Sequence, residues 1–267
     1  MRVIDLDRDM SDVIPTGLTP DSQFLFARMT DVTLDLAGAE PGRRILDVAS
    51  GVGQDAVSLA VRGAAVVGAE PSARMSGMAR QFAEGDGRRE GALPSWVRAW
   101  SDALPFATGS FDAVICKGAI DHFDRPEEAV AEMARVTRPT GRVVLAIANF
   151  ESLACRVARA RDELRERLLP RPPRRGRRGY DVPHDHFNRY ELDLMREQAS
   201  RHLDLEVVEG VSLGWGMPGW SQALRHLPSG VARGALQALD WIARRAPAWA
   251  DVAVLAGRPR RSATISL

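Results

Sequence analysis

Apolar positions along this chain change their period repeatedly. Phe24, Leu25, Met29, Val32 and Leu36 recur at near-helical spacing, which predicts a helix over 21–38 capped by Asp21 or Ser22. Pro41-Gly42 breaks the pattern. Arg44 to Val48 then reads as a short buried strand, followed by a glycine-containing turn and a helix from Val52 to Arg62. Ala65 to Ala69 predicts a second strand. Ser72 suits the cap of a helix that carries Met75, Met78, Ala79 and Phe82 on one face. After a polar, Gly-rich loop at 84–94, strands are expected at Trp96–Trp100 and Phe111–Cys116. Asp124, Pro126 and Glu127 suggest a capping box and a helix with Val130, Met133 and Val136 inward, stopping at Arg138-Pro139. Gly141 to Ala148 is an unbroken apolar run of the kind buried on both faces of a sheet.

Beyond residue 150 the pattern predicts helices at 152–169 and 190–202, strands at 204–211 and 251–257, and helix between those strands. The alternation implies an α/β fold: a doubly wound, mostly parallel seven-stranded sheet, with a helical, Arg-rich insertion before the last two strands. One domain over 1–267 is expected. Within it, 1–40 is a lead-in and helix, 41–150 the cofactor-binding core, 151–203 a helical lid insertion, and 204–267 the edge strands and substrate-side helices.

Composition narrows the class. A net charge of +1 over 267 residues gives no global pull toward nucleic acid or an anionic membrane. The charge is local: Arg156 to Arg178 is basic, and Asp5, Asp7, Asp9 and Asp12 make the N-terminus acidic. Two cysteines, Cys116 and Cys155, in no CxxC pattern predict reduced thiols and a cytoplasmic protein. No secretory signal and no run long enough to span a bilayer are visible.

The chemistry concentrates in Leu46-Asp47-Val48-Ala49-Ser50-Gly51-Val52-Gly53-Gln54-Asp55-Ala56. Gly51 and Gly53 at the carboxyl end of the first strand would let backbone approach a ligand closely. The G-x-G-x-x-A spacing also matches a dinucleotide fingerprint. Glu70 ends the second strand 19 positions after Gly51, where an acid can accept from two ribose hydroxyls, with Pro71 beside it. Asp47 separates the readings. A carboxylate there would repel a pyrophosphate but favour the sulfonium and ammonium of S-adenosylmethionine.

Ile45 to Gly53 resembles the first motif of class I S-adenosylmethionine-dependent methyltransferases, with Ala49 and Ser50 as the usual small residues. Asp102 to Phe106, Gly109 to Val114, and Arg135 to Val143 resemble the motifs that follow. The nearest branch is that of ubiquinone/menaquinone-biosynthesis methyltransferases, and the likeness covers roughly residues 40–150. It implies a Rossmann-like methyltransferase fold and S-adenosylmethionine as cofactor. Glu70 would hold the ribose, Asp102 the adenine amino group, and Ala103 would add a backbone amide.

Lys117-Gly118-Ala119-Ile120-Asp121-His122 follows the fourth strand, where the resemblance implies an acid–His pair near the methionine end of the cofactor. Lys117 is therefore a cofactor candidate and His122 a candidate base. His186, in His184-Asp185-His186-Phe187-Asn188-Arg189-Tyr190, is a second. The resemblance makes this segment a strap over the acceptor, with Tyr190 against it. His184 and His186 lack a nearby third ligand, so no metal is expected. Trp215 and Trp220, in a Gly-rich loop, are candidates for an apolar wall. Beside the basic run Arg171–Arg178 they would suit a hydrophobic or amphiphilic small-molecule acceptor, with peripheral membrane contact through that run. Nucleic acid is not expected as a partner, and the oligomeric state stays open. The alternative reading is an S-adenosylmethionine-binding protein that transfers no methyl, as a regulatory subunit or a non-methylating catalyst.

Overall fold

The computed structural model describes residues 19–85, 93–168, 180–181 and 189–260. The basic run Arg171–Arg178, His184 and His186 lie outside the described residues.

The chain begins with helix α1 (Pro20–Ala37). Its N-cap is Thr19, not Asp21 or Ser22. The Thr19 hydroxyl accepts from the Ser22 amide while the Ser22 hydroxyl accepts from the Thr19 amide, and Pro20 sits at the first helical position, where no N–H is needed. Gly38, at φ +63°, closes the helix in the left-handed region.

Strand β1 (Arg44–Val48), helix α2 (Gln54–Val61), strand β2 (Ala65–Ala69) and helix α3 (Ala73–Gly85) follow, with the Ser72 hydroxyl capping α3 at the Met75 amide. Strand β3 (Ser95–Val97) is shorter than the apolar run suggests, because Trp100 leaves it to bridge Ala103. Strand β4 (Phe111–Lys117) leads through a 3₁₀ turn (Ile120–His122) into helix α4 (Pro126–Val136). The N-cap of α4 is Arg125, with no side-chain cap bond, so the Asp124–Glu127 capping box does not form. Strand β5 (Thr137–Ala148) starts four residues before Gly141, since Thr137 already pairs with Phe111 and the register shifts before Ala113 meets Arg142. Helices α5 (Leu153–Leu168) and α6 (Leu192–Ser200), strand β6 (Leu203–Val211), helices α7 (Trp220–His226) and α8 (Ser229–Arg245), and strand β7 (Val252–Pro259) complete the described chain.

All seven strands form one sheet in the order β3-β2-β1-β4-β5-β7-β6. The first five are parallel; β7 enters antiparallel between β5 and β6. The central strands are apolar on both faces. Leu46, Val114 and Leu145 join Met133 of α4 and Met195 of α6 in one core. Their chain neighbours Ile45, Ala113, Ile115 and Val144 join Leu25 of α1 and Leu59 of α2 in the other. This period-two division between helical layers makes the sheet doubly wound. The strand order reverses between β1 and β4, which opens a crevice at their carboxyl ends.

Candidate functional site

The turn out of β1 stands at that crevice. Ala49, Gly51 and Gly53 have φ of +57°, +54° and +81°, so alternate residues adopt a left-handed conformation. Ala49 carries a Cβ there, a strain of about 1 kcal/mol. Nothing in an alanine announces it. The turn is pinned by Ser50 N–H to Ala69 O (3.2 Å) and Gly53 N–H to Ser50 O (2.8 Å).

The two glycines do different work. A Cβ on Gly51 would meet only Met75 Cε, at 3.5 Å. A Cβ on Gly53 would lie 2.4 Å from Trp96 Cη2 and 3.0 Å from Ala79 Cβ. Gly53 is thus required for packing under the Trp96 indole, whereas Gly51 presents open backbone.

Glu70, at the end of β2, is nearly buried. Its Oε2 accepts from the Gly51 amide and its Oε1 from the Ser72 amide, each at 3.0 Å. A carboxylate has about four acceptor positions, so two remain for other donors. Burial raises its pKa above the ordinary carboxylate value, and the Ser72 and Gly51 amides oppose that shift. Pro71 offers its carbonyl to Arg98.

Asp47, at the end of β1, is buried. One carboxylate oxygen accepts from the Ala56 amide, in the first turn of α2; Oδ2 has no hydrogen-bond partner among the described residues. Burial pushes Asp47 well above the ordinary range, the neighbouring Asp55 adds to the shift, and Lys117 counteracts it. Lys117 Nζ is held by Thr30 Oγ1 (2.6 Å) and Asp55 Oδ1 (2.7 Å). Asp55 and Thr30 were not candidates from sequence. The signal for Asp55 was its place in the first turn of α2, where an acid complements the helix dipole.

The side chain of Asp102 is buried and paired with Arg125 (2.8 Å). The Ala103 amide donates to Trp100 O (3.2 Å). It is therefore engaged within the turn, contrary to the expectation that it points to a ligand. His122 ends the 3₁₀ turn, half-buried, directly after buried Asp121.

The acceptor-side candidates separate. Trp215 packs edge-to-face on Phe26 of α1 (6.3 Å), one helical turn before Thr30. Trp220 opens α7, and its buried Nε1 finds no acceptor among the described residues. Tyr190 is instead a core residue. It has no exposed surface, sits with Met195 and Ile120, and donates its hydroxyl to Gln198 Oε1 (2.8 Å). The expectation that it faces the acceptor is corrected: burying a whole aromatic ring in the α4/α6 layer outweighs its position beside the strap. Asp251 holds the Trp215 loop by accepting from the Gly214 (3.2 Å) and Trp215 (2.9 Å) amides. Burial pushes Asp251 up to about 6.

The family model described as a methyltransferase domain matches residues 46–145, which run from β1 through β5 and contain the glycine turn, Glu70, Asp102 and His122. The demethylmenaquinone methyltransferase of Beutenbergia cavernae is 41% identical over 153 residues, covering 53% of this chain and 60% of that protein. The ubiquinone biosynthesis O-methyltransferase of Dechloromonas aromatica is 32% identical over 116 residues, covering 43% of this chain and 49% of that protein. The chain thus spans between about half and 60% of the length of these relatives. In overall fold it resembles the magnesium protoporphyrin IX methyltransferase of Synechocystis, solved with bound S-adenosylhomocysteine. The TM-score is 0.59 at 16% identity, over 94% of this chain and 92% of that one. The fold is the Rossmann-like one of S-adenosylmethionine-dependent methyltransferases. No helix of the described residues is long and apolar enough to cross a membrane.

Proposed function

We propose that this protein transfers a methyl group from S-adenosylmethionine to an oxygen, carbon or nitrogen of a small-molecule acceptor of hydrophobic or amphiphilic character. One observation carries the reading: the first turn of α2, where a dinucleotide would seat its phosphates, already holds two of the chain's own carboxylates, with Lys117 bound to one of them. Asp47 takes the Ala56 amide, and Asp55 stands in the same turn. An anionic ligand is disfavoured there, while Asp47 Oδ2, without a hydrogen-bond partner among the described residues, suits a cationic one.

When bound, S-adenosylmethionine supplies a methyl already activated on a positively charged sulfur. Asp47 would face its ammonium end, Gly51 would leave room for it beside the turn, and Glu70 would receive the ribose hydroxyls on its two remaining acceptor positions. Asp102 would meet the adenine amino group. His122 is the candidate base for an oxygen acceptor, which needs its proton removed. Phe26, Trp215 and Trp220 would wall the acceptor and exclude water, and Trp220 Nε1 offers a donor to an acceptor oxygen. The quinone-pathway relatives support an aromatic or prenylated acceptor. The two free cysteines support a reducing, cytoplasmic setting.

Calorimetric titration with S-adenosylhomocysteine, with NAD as control, tests the reading. Micromolar binding of the first and none of the second is expected, followed by S-adenosylhomocysteine production when acceptors are offered with labelled S-adenosylmethionine. Binding of NAD alone would overturn it. Binding of S-adenosylhomocysteine without turnover of any acceptor would leave a cofactor-binding protein of another kind.

A further inference from the structure

Helix α8 is apolar on two opposite sides. Its inner face, Ala232, Leu236 and Ala243, is buried. Ala232 and Leu236 pack on Leu224 of α7, with Phe24 and Trp220 against them. Its outer face should be polar if it met only water. Instead Val231, Gly234, Ala238, Trp241 and Ile242 recur there every third or fourth residue, all exposed. Leu227 before the helix and Trp249 after it are exposed as well. Trp241 is 57% exposed and Trp249 50%.

The exposed charge that α7 and α8 themselves carry has one sign, while Glu209 of β6 and Asp31 of α1 lie beside Arg244 and Arg28. From Val211 to Ala250 the only acid is Asp240. It is buried, and its carboxylate is occupied by Arg28, Arg244 and the Ser212 amide. Arg225, Arg233 and Arg245 are exposed, and none forms an ion pair among the described residues. The Arg245 guanidinium lies 3.7 Å over the Trp241 ring, so a cation and an amphipathic aromatic share one spot on the surface.

We infer that the outer face of α7–α8 docks on an anionic lipid surface, with Trp241, Ile242 and Trp249 entering the headgroup–acyl boundary and Arg225, Arg233 and Arg245 meeting lipid phosphates. An apolar stripe flanked by arginines, with tryptophans on it, is the arrangement that gains from both terms of interfacial binding. A second copy of this chain fits less well. A two-fold contact through this face sets arginine against arginine with no exposed acid of α7 or α8 to separate them. The face also adjoins the candidate site: α7 follows directly on the Trp215 loop, and Trp220 belongs to both. If the proposed acceptor is lipid-soluble, it would reach the site without leaving the bilayer surface.

The test is cosedimentation of the full chain with vesicles of phosphatidylcholine alone and of phosphatidylcholine with phosphatidylglycerol. Binding is expected only to the second, weakening as salt rises. Trp241→Ala/Trp249→Ala and Arg233→Glu/Arg245→Glu are each expected to lower the vesicle affinity about tenfold or more. S-adenosylhomocysteine binding and the circular dichroism spectrum should be unchanged, showing that the variants fold. Because the readout is lipid binding, its failure is separate from failure of the methyl-transfer reading. Absence of binding to anionic vesicles overturns the inference. So does binding that survives both double variants but is lost when Arg171, Arg174, Arg175, Arg177 and Arg178 are changed to Ser. A dimer in sedimentation velocity that the tryptophan variant dissolves would assign the face to a second copy and overturn it equally.

Discussion

The Gly51 amide donates to Glu70 Oε2 at 3.0 Å, and this single bond ties the turn after β1 to the acid that ends β2. The two segments are adjacent only because β1 and β2 pair in parallel from Arg44↔Ala65 to Val48↔Ala69. The bond fixes Glu70 at the rim of the crevice with acceptor capacity to spare. Replacing Glu70 by Ala should weaken S-adenosylhomocysteine binding by about 1–3 kcal/mol, the range for loss of a charged hydrogen-bond partner. Glu70→Gln should weaken it too, since its NH₂ group must oppose either the Gly51 or the Ser72 amide. Isothermal titration gives the comparison, and wild-type affinity in both variants would remove Glu70 from the site.

The two glycines of the turn should respond oppositely to alanine. Gly51→Ala adds a Cβ into ordinary contact with Met75, at a strain of about 1 kcal/mol for the left-handed backbone. Its urea midpoint should fall only by what that strain costs while cofactor affinity falls. Gly53→Ala drives a Cβ to 2.4 Å from Trp96 Cη2, and the indole must move. That variant should lose about 2–3 kcal/mol of stability by overpacking and strain together. Equal loss of stability in the two would contradict the division of roles.

Much of the sheet was legible because its strands are bounded by unmistakable breaks. The runs Arg44–Val48 and Ala65–Ala69 form the two strands with no change of boundary. The start of β5 was not legible. Arg138-Pro139 reads as a stop, yet the chain there pairs with Phe111 across a register shift, a tertiary event that no local window contains. The candidate cofactor residues were read from motif order. The electrostatic cluster did not. Lys117, Asp55 and Thr30 are 62 and 87 positions apart and meet only after α1, α2 and β4 assemble. Tyr190 was misplaced because an aromatic near the strap carries no mark of the face it presents. Only the packing of α6 against α4 shows that its ring is core.

Asp251 makes the Trp215 loop sensitive to pH. Its folded-state value is raised from 3.8 to about 6. Between those values the folded chain holds a proton that the unfolded chain has lost, so stability falls as pH rises through that window. The full effect is about 3 kcal/mol at most, since one pH unit corresponds to about 1.4 kcal/mol. Asp251→Asn cannot titrate. The wild type should therefore lose stability relative to this variant from about pH 4 to about pH 6, with a constant difference at higher pH. Urea denaturation across that range measures it; a pH-independent difference would mean that Asp251 ionises normally in the fold.

Asp47 gives a second linkage, at the cofactor itself. Burial and Asp55 raise it well above the ordinary carboxylate range, so protonated carboxyl is retained to higher pH than in a free aspartate. A ligand with an ammonium group beside Oδ2 favours the ionised form. Binding must then expel the proton, and affinity must rise with pH until Asp47 is ionised without help. Titrations of S-adenosylhomocysteine at one pH in buffers of different ionisation enthalpy should show net proton release in the wild type. Asp47→Asn should show less release and a flatter pH dependence, along with weaker binding. Identical proton release in the variant would mean that the proton comes from elsewhere and that the ammonium does not lie against Asp47. The sign of the proton linkage separates the two ligand classes as well: a phosphate placed at the same turn would favour the protonated carboxyl, so its binding would take up protons and weaken as pH rises.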